Sequence, residues 1–109
     1  MGRKGLAEFE HQVLLAVARL EDGAYSVPIV VELEERTGKE ISPAAVHVCL
    51  RRMEAKGLVR SRLATSSPGE GGRTRRYVQL TPEGIEQLRE TRRVLVRLWE
   101  GLEPSLDRP

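Results

Sequence analysis

His47 and Cys49 are the one pair of neighbouring side chains here that could combine a base with a nucleophile, the arrangement a covalent catalyst would use. Their spacing argues against it. Residues two apart on a helix point in divergent directions, and no nearby carboxylate is placed to orient the imidazole. Cys49 is the single cysteine, so it forms no intramolecular disulfide, and His11 and His47 fall on different expected helices, so no metal-ligand set gathers around them. Two readings of the thiol stand side by side: an inert core residue and a redox switch. Gly71-Gly72 lacks the Lys-Ser/Thr that a phosphate-cradling loop requires. No enzyme, cofactor or metal site is expected.

Arginine is the residue whose distribution carries information. Residues 43–80 hold eight cations (Arg51, Arg52, Lys56, Arg60, Arg62, Arg73, Arg75 and Arg76) against Glu54 and Glu70, a local balance of +6 that leaves −4 for the rest of a chain of net charge +2. Charge segregated onto one contiguous segment is the electrostatic footprint of a module that meets a phosphate backbone. A protein-binding surface would deplete cations at its centre.

These cations need elements to position them. Ser42 is a good helix N-cap and Pro43 a good first helical residue; Val46, Cys49, Leu50 and Met53 recur on one helical face, and Gly57 supplies the left-handed residue that closes a helix. That assignment leaves Ala44, Ala45, His47, Val48, Arg51, Arg52 and Lys56 outside. Such a face is either ordinary solvated surface or one where short residues allow close backbone approach and arginines hold a polyanion. Upstream, Leu6, Phe9, Val13, Ala16, Val17 and Leu20 mark a first helix with Glu8 and Glu10 in its first turn. Ser26 is expected to cap a second helix that runs to about Thr37 and ends at Gly38, making a helix–turn–helix pair with the third.

After Gly57 the apolar period changes from about 3.6 to about 2. Val59, Ser61 and Leu63 are expected to face inward and Arg60 and Arg62 outward, residues 66–72 to form the turn, and 73–80 to return with Val78 and Leu80 on the core face. Thr81-Pro82 caps a last helix, on which Leu88, Thr91, Leu95, Leu98 and Leu102 give a short coiled-coil seam widened by Val94 and Trp99. Folding of that helix against its own core is the other reading. Trp99 could serve as a packing anchor or as a stacking platform for a ligand.

The fold expected is mainly α with a small β-hairpin, one winged helix–turn–helix domain over residues 1–82, a dimerisation helix over 83–103 and a frayed tail over 104–109. With 109 residues, one cysteine, acidic residues interrupting the N-terminal apolar run and no stretch near 20 apolar residues, the chain is expected to be a soluble cytoplasmic protein without membrane contact.

The motifs Arg52-Met-Glu-Ala-Lys-Gly-Leu-Val59, Gly71-Gly-Arg-Thr-Arg-Arg-Tyr77 and Leu80-Thr-Pro-Glu-Gly84, together with Glu8-Phe-Glu10, Ala24-Tyr25 and residues 33–37, resemble the PadR family of transcriptional regulators, in its short type, over about residues 6–100. His47 and Val48 stand where that family often has a tyrosine followed by proline, and Ser26 where it has glycine. The resemblance implies a homodimeric, sequence-specific repressor on a palindromic double-stranded DNA operator, with no inducer named by the sequence. By that analogy His47, Arg51 and the small residues Ala44 and Ala45 enter the major groove, and Ser42, Val48 and Arg52 belong to the same DNA-binding surface. Arg73, Arg75, Arg76 and Tyr77 hold phosphates or the minor groove beside it. Leu88, Thr91, Val94, Leu95, Leu98, Trp99 and Leu102 build the dimer interface. The alternative is a winged-helix protein-interaction module without sequence-specific DNA binding.

Overall fold

A computed structural model describes residues 6–65, 69 and 72–107. Its elements are α1 (Glu8–Leu20), a 3-10 turn (Glu21–Gly23), α2 (Ser26–Thr37), α3 (Pro43–Ala55), β1 (Val59–Thr65), β2 (Thr74–Leu80), α4 (Pro82–Trp99) and a one-turn helix α5 (Glu103–Leu106). Three helices pack around one core and the antiparallel β1–β2 hairpin leans on them, in the register Val59↔Leu80, Ser61↔Val78 and Leu63↔Arg76. The sheet continues by one bond into the body, where the Val78 N–H donates to the Ala24 carbonyl. Most of the turn expected at 66–72 lies outside the described residues.

The core draws Val13, Leu14, Ala16 and Val17 from α1, Ile29 and Leu33 from α2, and Val46, Cys49, Leu50 and Met53 from α3. Leu58, Val59 and Val78 close it from the hairpin, and Leu88 is the last residue of α4 to pack against it. Full burial of an aliphatic side chain stabilises by about 1.5–3 kcal/mol, so these residues hold the domain together. The Ser42 hydroxyl accepts from the Ala45 N–H at 3.2 Å, as its cap role requires. Gly38 (φ 70°) and Gly57 (φ 77°) adopt the left-handed conformation that ends α2 and α3.

The junction between α3, the hairpin and α4 is built by a few residues. The Thr81 hydroxyl accepts from the Gly84 N–H at 3.0 Å and donates to the Gly57 carbonyl at 2.6 Å, while the Thr81 N–H donates to the Leu58 carbonyl at 3.1 Å. Gly84 is required by proximity. A β-carbon there would stand 2.1 Å from the Leu58 carbonyl oxygen, so only glycine lets the first turn of α4 lie on this backbone.

Four sequence expectations are corrected. Ser26 is the first helical residue of α2 rather than its cap; Tyr25 occupies the cap position in extended conformation with no side-chain bond to the helix. Leu63 does not face a core, being 62% exposed, because the hairpin leaves the body after Ser61. The last helix stops at Trp99 instead of continuing through residue 103, since Gly101 turns the chain at φ 83° and Pro104 has no N–H to extend a helical ladder. Residues 103–106 then form α5 where a frayed end was expected, and Leu102 lies off α4.

Candidate nucleic-acid interface

The exposed side of α3 follows from which side is buried. With Val46, Cys49, Leu50 and Met53 in the core, the helical period puts Ala44, Val48, Arg51 and Ala55 on the outermost line. His47 and Glu54 flank that line toward the hairpin, and Ala45, Arg52 and Lys56 flank it toward α1. The two flanks differ chemically.

On the hairpin side an open groove is bounded by His47, Arg51 and Glu54 of α3, by Tyr25, Ser26 and Val27 at the start of α2, and by Arg73, Thr74, Arg75 and Arg76 of the hairpin. It gathers most of the arginines singled out from the sequence. Arg76 donates to the Ser61 hydroxyl at 2.9 Å, and that hydroxyl lies 2.9 and 3.0 Å from the two carboxylate oxygens of Glu54. This relay fastens the hairpin to the end of α3 and draws Arg76 into the groove. Ser61 and Glu54 carry no sequence signal for it, because their partner lies on another strand.

On the other flank Arg52 and Lys56 are turned to a local partner. Glu10 is only 5% exposed, accepts from the Ala7 N–H at 3.0 Å and the Lys56 ammonium at 3.2 Å, and has the Arg52 guanidinium at 3.8 Å. Burial acts to raise its pKa, but the two hydrogen bonds and two cations outweigh it and hold the carboxyl below its ordinary value of 4.5. The sequence placed Arg52 on the DNA-facing surface and Glu10 in a helix-dipole role. The structure makes them an ion pair between α3 and α1, with Ala44, Ala45 and Val48 bordering a shallow hollow against Phe9. Behind this pair the Cys49 thiol is buried, and burial, then the Glu10 charge, push its pKa up to about 11, against partial relief from Arg52 and Lys56. A thiol so placed is almost wholly protonated at neutral pH, which favours the inert-core reading.

Tyr77 takes a place its expected DNA contact did not suggest. Its ring meets that of Tyr25 edge to face, with centroids 5.4 Å apart, and the Arg62 guanidinium lies 4.8 Å from its centroid. Arg75 lies 4.9 Å from the Tyr25 centroid. The seven residues expected to pair two chains divide: Leu88 and Thr91 are half-buried in the domain, whereas Val94, Leu95, Leu98, Trp99 and Leu102 are exposed.

Helix–turn–helix, a capped third helix and a two-stranded hairpin with a cationic groove between them define a winged helix–turn–helix module. The model of the PadR-like family of transcriptional regulators matches residues 14–90. A PadR-like transcriptional regulator from Bacillus cereus strain ATCC 14579 superimposes with a TM-score of 0.73 at 23% identity over 93% of each chain. A PadR family regulator from Eggerthella lenta DSM 2243 does so at 0.68 and 28% identity, over 89% of this chain and 82% of that one. The Aeropyrum pernix ORC1 protein, in its structure in complex with DNA, matches at 0.62 and 25% identity over 85% of this chain and 26% of its own. No curated protein matches. The chain belongs to the PadR-like family of transcriptional regulators. Members of that family are regulators rather than enzymes, which settles the question raised by His47 and Cys49. No helix among the described residues is long and apolar enough to cross a membrane.

Proposed function

We propose that this chain is a sequence-specific regulator, with repression as its mode, that binds a palindromic double-stranded DNA operator as a homodimer in the cytoplasm. The observation that carries this reading is the groove in which the outer face of α3, with His47 and Arg51, meets Arg73, Arg75 and Arg76 of the hairpin. In it Ala44, Val48 and Arg51 enter the major groove, where a guanidinium can make a bidentate contact to guanine, while hairpin arginines meet phosphates beside it. The likeness to a protein whose structure is a complex with DNA supports the DNA-binding reading. The exposed leucines of α4 supply the pairing surface.

The test is titration of the purified chain against a duplex from its own upstream region and a scrambled duplex, across a salt series. Arg51→Ala is expected to cost about 1–3 kcal/mol on the cognate site and to relax the preferred base at one position. Arg73→Gln is expected to weaken both duplexes alike and to lower the salt slope by about 0.9 per lost phosphate contact. Equal affinity for both duplexes, or binding that ignores salt, overturns the proposal in favour of a protein-interaction module.

A further inference from the structure

We infer that Tyr25 and Tyr77 are positioning residues whose paired rings hold Arg75 and Arg62 as a fixed cationic row across the middle of the hairpin, and that this row, including Arg62, carries DNA phosphates. The inference rests on the DNA-binding reading above and adds to it Tyr25 and Arg62, which the sequence did not assign to the interface. In β-register Arg62 stands directly opposite Tyr77, and the single bond from Val78 to Ala24 brings Tyr25 alongside Tyr77. The order across the surface is therefore Arg62, Tyr77, Tyr25, Arg75, drawn from β1, β2, the start of α2 and again β2. Ring centroids 5.4 Å apart at an interplanar angle of 70° give the edge-to-face geometry that aromatic pairs favour. Guanidinium carbons 4.8 and 4.9 Å from the two centroids lie within the range of cation–π attraction.

The physical effect is a reduced freedom of two long side chains before a ligand arrives. A guanidinium already held against a ring loses less rotamer entropy when a phosphate meets its edge. The Tyr77 ring, set between Arg62 and the Tyr25 ring, is thus a support for guanidinium groups rather than a platform for a base. Arg75 and Tyr25 border the groove, so the row begins at its rim and runs outward over the hairpin, along a line a phosphodiester strand can follow.

Four variants of the full-length chain separate the roles: Tyr25→Phe, Tyr25→Leu, Tyr77→Leu and Arg62→Gln. In the free protein the proton resonances of the Arg75 and Arg62 δ-methylenes are expected upfield of their random-coil positions, from the ring currents. Tyr25→Phe keeps the Arg75 shift and Tyr25→Leu abolishes it; Tyr77→Leu abolishes that of Arg62. Unshifted methylenes in wild type overturn the row whatever the DNA result. On a duplex, Tyr25→Leu and Tyr77→Leu are expected to bind about two- to five-fold more weakly than wild type and Tyr25→Phe within error of it. Arg62→Gln is expected to lower the salt slope by about 0.9. An unchanged slope for Arg62→Gln with wild-type melting overturns the phosphate role, and this variant carries the test should a leucine variant unfold. A wild-type protein that binds no duplex, while its arginine methylenes are shifted, overturns the DNA-binding reading and leaves the row as structure.

Discussion

Glu10 and Cys49, with Arg52 and Lys56 beside them, show at the level of single residues how burial and close charges set a group's protonation. Glu10 has a folded-state pKa below 4.5, so the native state holds fewer protons than the unfolded chain around that pH. Its contribution is complete above about pH 4.5 and is lost as the pH falls through the lower, folded value. Acid unfolding followed by circular dichroism is expected to show stability declining below about pH 4.5, with a shallower decline in Glu10→Gln. Cys49, with its thiol pushed up to about 11, is expected to react slowly with a thiol reagent in the native state and fast in denaturant. Rapid native labelling would restore the redox-switch reading. The core position of Cys49 was legible from its spacing with Val46, Leu50 and Met53. The bonding of Glu10 was not, since Lys56 lies 46 residues away and nothing local in either residue marks the other.

Elements whose limits are set by neighbouring residues were read well, and those shaped by distant contacts were not. Ser42-Pro43, Gly38, Gly57 and Thr81-Pro82 each act within one turn of themselves, and α2, α3 and α4 begin or end where those residues stand. By contrast, the inward alternation of β1 fails at Leu63 because alternation records a pleat, not whether a body lies beneath it. Glu54, Ser61 and Arg76 link α3 to the hairpin through a contact that only register creates. At this scale the sharpest expected outcome concerns the start of α4. Gly84→Ala would drive a methyl group into the Leu58 carbonyl, a backbone atom that cannot rotate away, and is expected to cost about 1–3 kcal/mol or more in urea unfolding. Wild-type stability in that variant would show that α4 can lift off its seat.

For the molecule as a whole the decisive feature is how much of α4 has no cover. Extents of 56 × 38 × 21 Å describe a body with a projecting arm, and on that arm Leu98 is 66% and Trp99 45% exposed. A helix with such a face is stable in water when something packs on it. In the homodimer proposed here a second α4 does so. Wild type is expected to sediment at about twice 12.2 kDa, and Leu95→Glu, which would bury an unpaired carboxylate in each subunit, as a monomer with weakened binding to a palindrome. A wild type monomeric at tens of micromolar that still bound a palindrome tightly would reject pairing through this helix. The widened apolar stripe was legible in the sequence; the break at Gly101, which moves Leu102 off the seam, depends on backbone conformation that residue spacing does not encode.

Thr81 and Gly84 bolt the root of α4 to Gly57 and Leu58, the residues that follow α3. The start of α4 and the segment that follows α3 therefore share one set of contacts. In the homodimer proposed above, the crossing angle of the two α4 helices would set the spacing of the two α3 helices against the roughly 34 Å repeat of the duplex. Under that proposal, a wedge between the two α4 helices near Trp99 would leave the α3 side chains in place and still shift the phase of the second half-site, a matter of gauge rather than of contact.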